Sequence, residues 1–194
     1  MLKIRILFAF LILFTFTTTY AQQAESFVVN PSKSLVSWAG KKIVGGNTQG
    51  TILVSNGSLA FANKQLKSGT ITMDTKSINS EKSSPRLVAH LKNADFFDVE
   101  KHPTATYVIT SVKTQNNVAT VNGKITIKGI TKDLSFPAEV TYSKDVVVAK
   151  AIGVKVNRTL FDVKYKSGSL FSGLGDGAIE DDFVLDITLV AEKK

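Results

Sequence analysis

Cysteine is absent from all 194 residues, so neither a disulfide framework nor a thiolate nucleophile is available to this chain. Histidine occurs only at His90 and His102. That leaves few general bases, and no Gly-x-Ser-x-Gly elbow offers a hydroxyl nucleophile. The two histidines lie near Asp95 and Asp98, but their spacing matches no compact metal-ligand pattern. Gly173–Asp182 lacks the Asp-x-Asp-x-Asp-Gly register of a calcium loop. No metal or cofactor is therefore expected. Beyond residue 21 the chain carries only two arginines, Arg86 and Arg158, among scattered lysines. There is no basic helix and no interleaving of aromatic with basic residues, which argues against nucleic-acid binding. No second apolar run is long enough to span a membrane, which takes about 20 residues.

What is present begins with a leader. Lys3 and Arg5 precede an apolar run from Ile6 to Phe16, and Thr19-Tyr20-Ala21 is a small-x-small cleavage site. Residues 1–21 thus read as a cleaved signal peptide, and residues 22–194 as one exported domain, periplasmic or secreted. The formal charge is +8. Without Lys3 and Arg5 it is 22 basic against 16 acidic residues, or +6, compatible with weak association with an anionic membrane surface. Oligomeric state is not legible.

The remainder reads as strand after strand. Thr, Val and Ile dominate, as half-buried pleated surfaces favour, and turn signals recur every 8–12 residues or so. Period-two phases give an inward set: Val36/Trp38, Ile52/Val54, Ile71/Met73, Ile125/Ile127 and Leu185/Ile187/Leu189. A barrel and a two-sheet sandwich both produce that pattern. Ser55-Asn56-Gly57-Ser58 reads as a hairpin turn, and Val118–Gly129 as one strand or a strand pair. Pro85 suits the first turn of a helix over 85–94, with Ser83 or Ser84 as its cap. Glycines inside strands, at 40, 50, 123, 129 and 153, mark bulges, corners or a close approach by another group.

Two features ask for more than a strand. Phe96 and Phe97 sit together in the charged segment His90–Pro103. Burying a Phe is worth about 1.5–3 kcal/mol, so this loop should fold inward. It then either plugs one end of an all-β domain or rims an apolar pocket. Arg158 follows a Val-rich strand and offers a planar fork that lysine cannot reproduce. It reads as a structural clamp, with contact to a polar headgroup as the alternative.

In order, these segments resemble the YceI-like family of exported bacterial proteins, from about residue 34 to 190. The resemblance rests on Ser34–Trp38, on His90-Leu91-Lys92 with Asp95–Val99 and Pro103–Ala105, on Gly123–Lys132, on Val156–Phe161, and on Gly175-Asp176 with Ile179. It departs at Gly46–Gly50, where the family often has a histidine and this chain has none. The resemblance implies an all-β fold, an extended antiparallel lipocalin-like barrel with a short helix or loop near 85–98 at one end. It also implies an apolar pore for a polyisoprenoid such as a quinone or prenyl chain, for transport or storage. Trp38, Phe61, Met73, Ile125, Ile127 and Phe136 then become pocket lining, Phe96 and Phe97 the entrance, and Arg158 a candidate headgroup contact. The other readings are a solid-cored envelope stress or interaction module without ligand, and an enzyme on an isoprenoid lipid. The latter would need Asp95, Asp98 or His102 near Arg158.

Overall fold

A computed structural model describes residues 24–80, 85–115 and 118–194. The strands are β1 (Glu25–Val29), β2 (Leu35–Lys41), β3 (Asn47–Ala62), β4 (Gln65–Asn79), β5 (Thr104–Gln115), β6 (Val118–Ile127), β7 (Ile130–Tyr142), β8 (Val146–Asn157) and β9 (Asp182–Lys193). One helix, α1 (Pro85–Lys92), lies between β4 and β5. All pairings between these strands are antiparallel, and the order β3-β2-β9-β8-β7-β6-β5-β4 closes on itself through β3–β4. The result is an eight-stave barrel in which every strand has a partner on both sides. Closure thus decides between the two architectures that alternation alone leaves open.

The first stave is built from two strands. β1 pairs with the far ends of β3 and β9, at Phe27↔Leu59 and Phe27↔Lys193. β2 pairs with other stretches of the same two neighbours, at Val36↔Ile52 and Val36↔Ile187. Between them the chain makes a single 3-10 turn at Pro31–Lys33, capped by the Asn30 side chain. Proline cannot donate to a ladder, so the stave breaks there.

The alternation works as the strand pattern requires. In β6, Ala119, Val121, Gly123, Ile125 and Ile127 are buried in the barrel, and the alternate residues face outward. Val118–Ile127 is one strand; Lys128 and Gly129, both at positive φ, turn it into β7. The turn expected at Asn56-Gly57 is not a turn. β3 runs straight through it, with register shifts nearby, and reverses at Asn63-Lys64, where φ is 52° and 61°. Gly57 is needed for another reason. A Cβ there would lie 2.8 Å from Val29 Cγ2 and 2.9 Å from the Thr70 carbonyl, because β1 packs against this point. The helix ends at Lys92, two residues short of the span expected from sequence; its expected cap at Ser83 or Ser84 lies outside the described residues. The leader expected at residues 1–21 lies outside them too.

One end of the barrel is shut. Phe27, Phe61 and Tyr142 meet with ring centroids 5.3–5.7 Å apart, and both phenylalanines are fully buried. Outside this plug the Tyr142 hydroxyl donates to Glu25, whose carboxylate also receives Lys193 Nζ at 2.6 Å. These hydrogen bonds from Lys193 and Tyr142 hold the Glu25 carboxyl below the usual range.

Candidate functional site

The other end is a mouth covered by α1 and the loop that follows it. The loop winds back on itself: the Asp98 and Phe97 amides donate to the Asn93 and Leu91 carbonyls at 2.8 and 3.2 Å. Its exit is tied to β4, where Thr75 Oγ1 donates to the His102 carbonyl at 2.6 Å. So held, it directs both phenylalanines inward. Phe96 is buried with Leu91, Ile78 and Val163, and its ring packs at 5.0 Å from His90 and 5.3 Å from Tyr165. Phe97 is half-buried, edge-on to Phe183 at 6.3 Å.

Beneath them lies a cavity of about 200 Å³. Trp38, Met73, Phe96, Phe97, Ile125, Ile127 and Arg158 all touch it. A second void of about 70 Å³ lies deeper, and Phe136 lines it with Met73 and Ile125. Met73, Ile125 and Leu185 border both, so the two voids lie one behind the other along an apolar bore, with these three side chains at the waist between them. The single tryptophan sits at its upper wall, where the Trp38 indole N–H donates to the Thr51 carbonyl at 3.2 Å. Phe61 stands apart. It borders neither void because it belongs to the aromatic plug at the closed end.

Sequence reasoning misses several lining residues. Phe183 shares the phase of Leu185, Ile187 and Leu189, and extending that phase by one step finds it. Leu91 lies on the inner face of α1, one turn after Leu87, and helical spacing is its signal. Ile78 follows the irregular end of the β3–β4 ladder, where strand phase no longer points to it.

The interior holds no polar group in wait. Among the described residues, no buried side-chain nitrogen or oxygen lacks a hydrogen-bond partner. The Tyr107 hydroxyl, beside the deep void, donates to the Leu134 carbonyl at 2.9 Å, and burial pushes its pKa up to about 12. It stays neutral at any physiological pH. The rim carries both signs, with Lys41 and Lys42 facing Glu180 and Asp182.

Arg158 is a clamp. It is 5% exposed and opens a 3-10 turn, Arg158–Phe161, capped by the Asn157 side chain. Its Nε donates to the Glu180 carbonyl at 3.0 Å. Nη1 donates to the Val163 and Tyr165 carbonyls at 2.8 and 3.0 Å, and Nη2 to that of Ile179 at 3.1 Å. Asp181 lies 3.9 Å from Nη2. One side chain thus ties the residues after β8 to those before β9, and its donors are committed to that task. Asp95, Asp98 and His102 are not among its partners. Asp95 pairs with His90 at 3.1 Å, and Asp98 with Lys101 at 3.1 Å.

Asp181 offers a pH test of this junction. Burial pushes its carboxyl up, but hydrogen bonds from Ser167 and Ser169 and the charge of Arg158 outweigh that and hold it below the usual range. A group lowered in the folded state binds protons more readily when unfolded. Its stabilisation is therefore present above its unfolded pKa of about 3.9 and lost as pH falls through the folded value. The melting temperature should fall as pH drops below about 4. Asp181→Asn should melt lower at neutral pH and show a shallower acid dependence. An identical acid profile in the variant would remove Asp181 from this role.

A closed antiparallel barrel, one blind end, a helix-covered mouth and an apolar bore form a recognisable combination, and the family model for the YceI-like domain matches residues 27–191. The chain belongs to the YceI-like family. Among curated relatives, the YceI protein of Escherichia coli O157:H7 is 24% identical over 145 residues, which cover 74% of each chain. A UPF0312 protein of Pseudomonas putida strain F1 is 29% identical over 151 residues, 75% of this chain and 73% of that one. Among solved structures, BcnA of Burkholderia cenocepacia superposes with a TM-score of 0.70 at 23% identity, covering 84% of this chain and 98% of BcnA. A polyisoprenoid-binding domain from Saccharophagus degradans superposes with a TM-score of 0.67 at 9% identity, covering 88% and 99%. At these identities the superpositions show the YceI fold.

Proposed function

We propose that this YceI-like protein is an exported, non-enzymatic binding protein that holds the chain of a polyisoprenoid lipid, a quinone or a prenyl compound, in its bore for transport or storage. The observation that carries the reading is the pair of apolar voids, one behind the other, between the mouth and the aromatic plug. A dry cavity of about 150 Å³ lined by aliphatic and aromatic groups is enough to take up a benzene-sized molecule. The larger void here is about 200 Å³ and the second, of about 70 Å³, lies behind it, an arrangement that suits a chain better than a single ring. With every buried polar side chain among the described residues already satisfied, recognition falls to apolar contact, at about 0.8 kcal/mol per buried CH₂. The headgroup stays at the rim, where charges of both signs meet.

Three further points support the reading. The bore argues against a solid-cored interaction module. Arg158 is held by backbone carbonyls rather than by an acid–base pair, which supports binding over catalysis. A structural neighbour is described as a polyisoprenoid-binding domain. Export rests on the leader at residues 1–21, and the net positive charge suits contact with an anionic bilayer.

The test is mass spectrometry of an organic extract of the mature protein, purified after export from a bacterial host. A polyisoprenoid at one per protein is the expected result. An empty extract, together with no uptake of added ubiquinone, would overturn the reading in favour of a ligand-free interaction module.

A further inference from the structure

The barrel wall is not knit evenly. β6 and β7 share ten register pairs, but β7 and β8 share only four, from Glu139↔Lys150 to Tyr142↔Val147. All four lie toward the closed end. Nearer the mouth, residues 130–138 of β7 and 151–157 of β8 form no ladder with each other, and both stretches are fully described.

Two sequence features end the ladder. Pro137 has no N–H to give to a neighbouring strand. On the other side β8 is bulged between Ala151 and Val154, with Gly153 at φ 73°. The bulge turns the Gly153 amide onto Asp186 Oδ1 of β9 at 2.8 Å, away from β7. At the mouth end the split is framed by a strap: Lys128 Nζ, from the β6–β7 turn, donates to the Asp162 carbonyl at 3.0 Å.

Exposure marks the split at one position, Lys132; Ala138 of β7 and Ala151, Val154 and Val156 of β8 are buried along it, and Val140 and Tyr142, inside the ladder, are half-buried like Phe136 and Ile130. The inward residues Val121, Ile125 and Ile127 of β6 are buried. Their partners on the inward face of β7 are Phe136, Lys132 and Ile130. Phe136 and Ile130 are only half-buried, and Lys132 is exposed although it has the inward phase. A charged side chain in that phase reaches water because the wall beside it is open. The deep void lies directly behind, lined by Phe136 and Ala138 from one edge and by Ala151 and Val154 from the other. Outside, Ile152 is 70% exposed on β8.

We propose that the split between β7 and β8 is a side entrance, through which an isoprenoid chain passes laterally into the bore. This rests on the reading of the protein as an isoprenoid carrier. Threading end-on would take the chain past the helix-covered mouth and through the waist. Parting the wall elsewhere would break ladder hydrogen bonds, each worth about 0.5–1.5 kcal/mol net. Between β7 and β8 there are no ladder bonds to break over this stretch; the turn Arg158–Phe161 packs against β7 at the mouth end, so passage is proposed between that turn and the ladder, where side chains move aside.

The test uses the absence of cysteine. Pro137→Cys with Ile152→Cys places one exposed thiol on each edge, and a short bis-methanethiosulfonate reagent joins them by bonds that reductant reverses. Ser135→Cys with Lys155→Cys makes a second staple across the same split, also at exposed positions. Lys124→Cys with Asp133→Cys, on the knit β6–β7 pair, is the control. Uptake of ubiquinone from phosphatidylcholine vesicles is followed by quenching of Trp38. Either staple across the split should slow uptake by about tenfold or more, with reductant restoring the rate and the control staple leaving it unchanged. Stapled proteins that load at the unstapled rate would overturn the side entrance and leave the mouth as the way in. Failure of the unmodified protein to load at all would instead overturn the carrier reading, and the entrance with it.

Discussion

Arg158→Ala should lower the melting temperature by about 10 °C, through a loss of roughly 3–5 kcal/mol. Four backbone carbonyls, those of Val163, Tyr165, Ile179 and Glu180, converge on a guanidinium that is almost wholly buried. Removing it leaves them without a donor, and leaves Asp181 without its cation. Hydrogen bonds to a charged group are worth about 1.5–3 kcal/mol each, and the orphaned acceptors add their own desolvation cost. Arg158→Lys should recover little, because one ammonium cannot reach carbonyls spread around a planar fork. Thermal melting followed by circular dichroism reads this directly. If Arg158 were instead a headgroup contact, the alanine variant would melt normally and lose ligand affinity. That outcome would refute the clamp.

The second large effect is expected at the waist. Ile125 is 4% exposed and borders both voids. Ile125→Trp should fill the passage between them and cut co-purifying isoprenoid by about tenfold or more, while overpacking costs about 1–3 kcal/mol of stability. Far-UV circular dichroism should still report a folded barrel. The same insertion at exposed Leu160, which borders neither void, should leave retention unchanged. Full retention in a folded Ile125→Trp variant would show that the chain does not occupy the bore. The two experiments separate cleanly: Arg158 acts on stability and Ile125 on ligand.

Much of this barrel is legible in the amino-acid sequence. Strand phase identifies Trp38, Met73, Ile125 and Ile127 correctly as inward, because a wall that is dry on one side imposes a strict period of two. Phe96 and Phe97 turn inward on similar grounds: nothing in a charged loop repays two exposed rings. Burial alone does not say whether they plug or rim, and they do both, with Phe96 anchoring the loop and Phe97 facing the cavity. Phase gives the side of the wall but not the height along it. Phe61 is inward like the others, yet it sits below the voids, where β1 brings Phe27 against it. Asn56-Gly57 misleads because a glycine needed for close approach looks, in sequence, like one needed for a turn. Pro137 and Gly153 are each visible in the sequence, but only register places them on the facing edges of neighbouring strands.

The aromatic plug has a consequence for what such a protein can distinguish. A tube sealed by Phe27, Phe61 and Tyr142 has a fixed depth. From Phe183 at the mouth to Ala191 beside the plug, β9 advances about 26 Å, or about 20 Å along the axis once strand tilt is allowed for. Such a well is a gauge. It can cover only as much chain as it is deep, and whatever exceeds that depth must find another apolar surface. If an isoprenoid chain fills the well, as proposed, that depth sets how much of the chain is covered, whatever its headgroup.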